Sequence, residues 1–163
     1  FGALQCTPAQ PGCADCPLAA RCLALAAGTV AERPVKQAKT KVRDRWFNYL
    51  HVTCGGQTLL HRRGGGDIWQ GLYEFPLIET DKAADFAELA ATAAFRELLG
   101  NGRWHLRRSV TMPGHQLSHQ LLHAVFHRIE CDAMPAFPSV ETAALGGYAL
   151  PRLIDRYLTK YQM

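Results

Sequence analysis

No apolar run in these 163 residues approaches the roughly eighteen needed to cross a membrane, and no charged stretch leads into an apolar segment of the kind that directs secretion. Those absences exclude a helical membrane span and a secretory leader, so the sequence reads as a soluble, cytoplasmic protein. Internal repeats and low-complexity tracts are missing too, which leaves ordinary globular domains. The glycine run Gly64-Gly65-Gly66 is flanked by no P-loop or dinucleotide signature and is therefore expected as a flexible turn, not a phosphate cradle. The chain starts at Phe1, without an initiator methionine, and is expected to be the back part of a longer protein.

Cysteine is present in an informative arrangement. Four of the six cysteines fall within CTPAQPGCADCPLAARC, Cys6 to Cys22. In a reducing compartment such clusters bind metal or do redox chemistry more often than they form disulfides. The spacing is C-x6-C-x2-C-x5-C, with one close pair, Cys13 and Cys16, whereas zinc ribbons usually present two close pairs that grip one tetrahedral ion. Four thiolates from one compact loop suit a [4Fe–4S] cube better, because each iron takes a ligand at its own corner. The spacing also differs from the bacterial ferredoxin run, which disfavours a simple electron carrier.

This spacing, preceded by Gly2-Ala3-Leu4, resembles the cluster loop of the DNA glycosylase superfamily that includes endonuclease III and the MutY-type adenine DNA glycosylases. The resemblance implies that Cys6, Cys13, Cys16 and Cys22 ligate a [4Fe–4S] cluster, and that residues 1–28 are the end of a helical glycosylase domain. The helix-hairpin-helix and catalytic carboxylates of that domain have no counterpart here, so no catalytic residue is expected in this chain. Between its first two cysteines the family often carries basic residues that touch DNA, whereas TPAQPG has none. Arg21 is the one cation inside the loop.

The segment CLALAAG reads as the end of a short helix that stops at Gly28. Residues 29–45 read as a basic interdomain linker broken by Pro34. Arg33, Lys36, Lys39, Lys41, Arg43 and Arg45 stand there against the single acid Asp44, a local balance of +5 from Arg33 to Arg45. With Arg21 of the cysteine loop, Lys36, Lys39, Lys41 and Arg43 are candidate phosphate contacts, since a basic linker can track a polyanion and release its counterions. A solvated connector with solubilising charge is the alternative. The net charge of +4 and a pI near 8.8 suit a polyanionic partner.

From Trp46 to the end lie 118 residues, enough for one core. WFNYLHV reads as a strand with rough alternation, Cys54-Gly55-Gly56 as a turn, and TLLHRR as the hairpin partner. A helix of two dozen residues at most is predicted up to Gly100, followed by strands at WHLRRSVTM and LLHAVFHRI. The last segment, PRLIDRYLTKY, places Leu153, Ile154, Tyr157, Leu158 and Tyr161 on one helical face that should close the core. Strands interrupted by one helix and sealed by another give an α+β domain over 46–163.

GLYEFP ahead of a helix resembles a Nudix domain, which implies a mixed sheet with helices. Nudix hydrolases hold divalent cations with glutamates in the form RE-x-x-EE-x-G, but here Arg96-Glu97-Leu98-Leu99 runs straight into Gly100. The paired glutamates are missing and so, by expectation, is the magnesium site, leaving Glu74 and Glu97 structural. A Nudix-like domain without Nudix chemistry, downstream of the cluster loop, resembles the C-terminal region of MutY-type glycosylases.

GHQLSHQLLH, Gly114 to His123, carries His115, His119 and His123, with His127 following at the same interval of four. On a helix they would align as metal ligands, but Pro113-Gly114 opens a turn and the apolar run beyond suits a strand buried on both faces, with His123 and His127 on one side. Leu117-Ser118-His119 resembles the loop, usually Phe-Ser-His, with which the family reads an oxidised guanine. By that resemblance Ser118 senses the altered base edge, His119 donates to phosphate or nearby, and Leu117 wedges between base steps. Cys54 and Cys131 receive no chemistry, and Trp69 and Tyr73 are read as core residues with base stacking as the alternative.

The resemblance implies the C-terminal part of an adenine DNA glycosylase acting on adenine opposite 8-oxoguanine. Its partners would be duplex DNA carrying that mispair and the upstream glycosylase domain, in the cytoplasm with the bacterial chromosome and away from membranes. Two other classes compete: a Nudix nucleotide pyrophosphohydrolase, and an iron-sulfur redox or interaction module.

Overall fold

The computed structural model describes residues 1–161 apart from Ala3, Pro34, residues 36–40 and Asn101. The chain divides into two compact units, Phe1–Thr40 and Lys41–Met163.

The first unit is mostly irregular. A 3-10 turn at Ala19–Arg21 leads into a one-turn helix, α1 (Leu23–Ala26), and Gly28 leaves it at φ 66, a left-handed position that glycine takes at no steric cost. A second 3-10 turn, Val30–Glu32, lies within the predicted linker. None of the described residues here is buried, and Leu4 and Leu23 are 91% and 86% exposed. The segment therefore has no apolar core of its own.

The second unit is an α+β domain around a seven-stranded mixed sheet. Its strands are β1 (Arg43–Cys54), β2 (Gln57–Leu59), β5 (Leu77–Thr80), β6 (Trp104–Thr111), β7 (His115–Gln116), β8 (Gln120–Cys131) and β9 (Ser139–Glu141). A two-stranded ribbon joins β3 (His61–Arg62) to β4 (Tyr73–Glu74). The helices are α2 (Phe86–Ala90), α3 (Ala93–Leu99) and α4 (Arg152–Tyr161). The main path runs β6-β8-β1-β2-β9, with β5 also pairing β1 and β7 pairing β8.

The central pair, β1 and β8, is parallel, from Arg43 opposite Gln120 to Thr53 opposite Glu130. Both faces of this pair are covered, which explains why β1 is buried almost continuously instead of alternating. On one face Phe47, Tyr49, Ala124 and Phe126 pack with Leu153, Ile154 and Tyr157 of α4. The rings of Tyr49 and Phe126 stack at 4.9 Å, and those of Phe126 and Tyr157 at 4.0 Å. On the other face Leu50, Val52 and Ile129 pack with Phe95 and Leu99 of α3.

The single long helix predicted before Gly100 is two short ones. Asp85 and Glu88 form a capping box that starts α2, and the Thr92 hydroxyl accepts from the Phe95 amide to start α3 afresh. Likewise TLLHRR is not one hairpin partner: β2 pairs β1, but His61 and Arg62 leave to pair with β4. Strand β1 begins at Arg43, inside the predicted linker.

His51 and His127 are each 2% exposed. Burial lowers both from 6.5 to about 4, with the nearby Arg128 charge adding to the fall at His51. Between those values the unfolded chain binds protons that the folded chain does not, so this stability is complete above pH 6.5 and is lost as pH falls toward 4. Urea unfolding at a series of pH values should show a loss of up to about 3 kcal/mol per histidine between pH 7 and pH 4. A flat profile over that range contradicts the burial of neutral imidazoles.

Candidate nucleic-acid interface

The tight connection from β7 to β8 carries Leu117, Ser118 and His119. His115 pairs with Leu122 and Gln116 with Leu121, and the Leu117 amide donates to the Gln120 carbonyl at 2.8 Å. The Gln116 side-chain amide donates to the Leu117 carbonyl at 2.6 Å, tightening the tip from outside. Ser118 and His119 are exposed, and neither side chain has a hydrogen bond among the described residues. Leu117 is half-buried and packs against the core cluster, as Ile68 and Trp69 do, so it helps to anchor the tip.

The tip is joined to the start of β1. The Arg43 amide donates to the His119 carbonyl at 3.0 Å, which puts exposed Arg43 beside the tip, with exposed Lys41 two residues before it. Arg21 is exposed on its own unit, and Lys36 and Lys39 lie outside the described residues.

Arg45, counted above among the linker cations, is 7% exposed and spends its charge internally. Its guanidinium donates to both carboxylate oxygens of Glu79 at 2.7 and 2.6 Å, to both of Asp67 at 2.7 Å, and to the Gln120 side-chain oxygen at 3.0 Å. The hydrogen bonds to Glu79 and then Asp67 push the Arg45 pKa well up, and the bond from Arg45 holds Asp67 well below the usual carboxylate range. Arg45 thus fixes Gln120, the residue that closes the tip. The sequence signal was present: Arg45 is in phase with Phe47 and Tyr49, the inward positions of β1.

A second pair continues the network. Arg63 donates to Glu74 at 2.6 Å and to Asp67 at 2.6 Å, and the Tyr49 hydroxyl donates to Glu74 at 3.3 Å. Glu74 therefore plays the structural part expected of it, while Glu97 is exposed on α3. Among the described residues no three His, Cys, Asp or Glu side chains gather closely enough to hold a metal ion. Trp69 takes a left-handed φ of 61, packs edge-on to Phe47 at 6.3 Å and lies 6.0 Å from His115. Tyr73 packs edge-on to Tyr148 at 4.9 Å. Beyond the tip, Trp46 stacks on His123 at 5.0 Å, and His123 donates to Asp44 at 2.7 Å.

In the first unit, Cys6, Cys13, Cys16 and Cys22 all line one cavity of about 470 Å3, which Pro8, Pro11 and Leu25 help to wall. The thiols are free. Backbone bonds from Cys16 to Cys13 and from Cys22 to Ala19 turn the chain so that these four side chains meet the same space.

A NUDIX domain family model matches residues 48–160, most of the chain, and the chain belongs to that family. Two curated adenine DNA glycosylases are similar in sequence. That of Buchnera aphidicola subsp. Schizaphis graminum is 29% identical over 80 residues, 49% of this chain and 23% of that protein. That of Arabidopsis thaliana is 29% identical over 101 residues, 53% of this chain and 16% of that protein. The chain thus spans less than a quarter of either relative.

Among solved structures, the C-terminal domain of mouse MUTYH, determined in complex with human PCNA, matches 74% of this chain and 88% of that one with a TM-score of 0.56 at 16% identity. The E. coli ORF135 protein matches 74% and 90%, with a TM-score of 0.55 at 16% identity. At these identities the structures share the fold, a Nudix-type domain like that of MUTYH.

Replacing Arg45 with Met should leave Asp67 and Glu79 facing each other and release Gln120. Since both carboxylates are about one-third exposed, the expected loss is about 2–3 kcal/mol, below that of a fully buried pair. Denaturant unfolding measures it, and amide exchange at Leu117 should rise by more than the global loss accounts for.

Proposed function

We propose that this chain is the C-terminal part of an adenine DNA glycosylase that removes adenine mispaired with 8-oxoguanine, and that it reads the lesion and holds a [4Fe–4S] cluster. The observation that carries the reading is the hairpin tip, where Ser118 and His119 stand exposed, with no side-chain hydrogen bond among the described residues, on a braced turn in a chain similar to adenine DNA glycosylases. In 8-oxoguanine N7 carries a hydrogen and C8 a carbonyl, so one edge exchanges acceptor for donor. The Ser118 hydroxyl can accept from that N7–H, and as a donor it can also meet the carbonyl. His119 reaches the adjacent phosphate, and the Arg43 and Lys41 charges add sequence-independent affinity. Hydrolysis of the N-glycosidic bond, after the adenine leaves the stack, belongs to the upstream glycosylase domain.

The cysteine loop fits the cluster. Four free thiols line one cavity, and a [4Fe–4S] cluster takes one thiolate at each of four iron corners. When bound, the cluster supplies the ordering that a segment without a core lacks. The exposed Leu4 and Leu23 would be covered by the upstream domain. The whole protein works on the chromosome, in the cytoplasm.

Equilibrium binding to duplexes with 8-oxoguanine or guanine opposite adenine tests lesion reading. The chain should prefer the lesion by about tenfold or more, and Ser118→Ala should remove most of that preference, about 1–2 kcal/mol, without unfolding the domain. Equal binding by both proteins to both duplexes contradicts it. For the cluster, anaerobically purified chain should contain about four iron and four sulfide per molecule. Removing iron with a chelator should loosen residues 1–33, read by proteolysis, while leaving the Tm of the Lys41–Met163 unit within about 1 °C. Zinc in place of iron and sulfide contradicts the assignment.

A further inference from the structure

A second basic surface lies on the α4 side of the sheet, away from the tip. Arg108 of β6 and Arg128 of β8 sit directly opposite each other across an antiparallel pair. Like charges at that position destabilise a sheet, and no carboxylate lies within ion-pair distance of either among the described residues. Beside them Arg107 pairs with Glu130, and the strand is bulged between Leu106 and Arg108. Arg108, Arg128, Tyr157 and Tyr161 line a recess of about 220 Å3. The Arg108 guanidinium lies 5.2 Å from the Tyr161 ring centre, and the Lys160 ammonium 5.3 Å from it.

Tyr161 also lines a second groove of about 300 Å3 with His115, Arg156 and Lys160, which runs back to the foot of the hairpin at Gly114. Its one acid, Asp155, is bound by Arg152. Arg108, Arg128, Arg156 and Lys160 are therefore four cations without an acidic partner among the described residues. Their field reaches neighbours: Arg128 and Arg108 oppose the rise that burial imposes on Tyr157, and Arg156 adds to the fall that burial imposes on His115. From Gln120 beside the tip to Arg128 the extended strand β8 covers about 26 Å, the length of roughly eight base pairs of duplex.

We propose that Arg108, Arg128, Arg156 and Lys160 form a binding site for the phosphate backbone of duplex DNA flanking the lesion. The inference rests on the lesion-reading function proposed above and extends it. An anion between Arg108 and Arg128 relieves the repulsion that folding leaves in place, so the pair strengthens binding while weakening the free fold. The Tyr161 ring faces the Arg108 guanidinium but carries no net negative charge, so it does not neutralise the pair.

The test is the salt dependence of binding by this chain and by Arg108→Ala/Arg128→Ala, on two duplexes containing 8-oxoguanine opposite adenine. One carries about fifteen base pairs on each side of the lesion and the other about four, too few to span the distance above. On the long duplex the double variant should lower the slope of log K against log salt by about 2, with the same change when guanine replaces the lesion. On the short duplex the two proteins should bind alike. The variant's Tm should be unchanged or higher, and Arg108→Lys/Arg128→Lys should keep most of the slope. An unchanged slope on the long duplex, or an equal loss on both, overturns the site. Lesion preference with no change in slope defeats this surface alone. A lowered slope without lesion preference defeats the lesion reading and leaves the surface standing.

Discussion

The guanidinium of Arg45 is the constraint on which the β7–β8 end of this domain depends. It ties Asp67 of the glycine-rich loop, Glu79 of β5 and Gln120 of β8 to the start of β1. An arginine is suited to this because its planar fork can serve two carboxylates at once and still keep a donor for an amide oxygen. With Gln120 fixed at its side chain and its carbonyl holding the Leu117 amide, the tip between β7 and β8 has little freedom left. Ser118 and His119 thus project from a rigid support, a condition for telling two bases apart by one atom.

The parallel pairing of β1 with β8 extends that support into the core. Each face of the pair is covered, by α4 on one side and by α2 and α3 on the other, so the register is set by burial on both. A slip of one residue would move Arg45 out of its carboxylate cage and turn Phe47 and Tyr49 to the wrong side. The same pairing carries the tip at one end and Arg128 at the other, so a single rigid ribbon spaces the two charged surfaces. The cysteine-bearing unit follows a different logic, with no buried side chain among its described residues and four thiols around one cavity.

Much of this was legible in the sequence, and the exceptions have physical causes. Strand-like segments placed β1, β6 and β8, and a helical apolar face placed α4. The helix before Gly100 was overextended, since Ala-rich composition hides the restart that Thr92 imposes through its side-chain cap. Arg45 was read as a linker cation because charge near a proline suggests solvent. Only its phase with Phe47 and Tyr49 points inward, and its partners Asp67, Glu79 and Gln120 are distant in sequence. The packing of Leu117 against the core cluster was not legible, because it depends on a fold of the chain that no local pattern describes. The surface around Arg108 and Arg128 was invisible for the same reason, since only the pairing of β6 with β8 brings them together.

The central claim is that a braced hairpin tip reads the lesion. Amide hydrogen exchange of the chain bound at saturation to duplex with 8-oxoguanine opposite adenine, compared with guanine opposite adenine, addresses it most directly. The account predicts added protection for the lesion duplex confined to residues 115–120, with β6 and α4 equally protected by both. Identical protection of 115–120 by the two duplexes, or lesion-dependent protection located elsewhere, would contradict it.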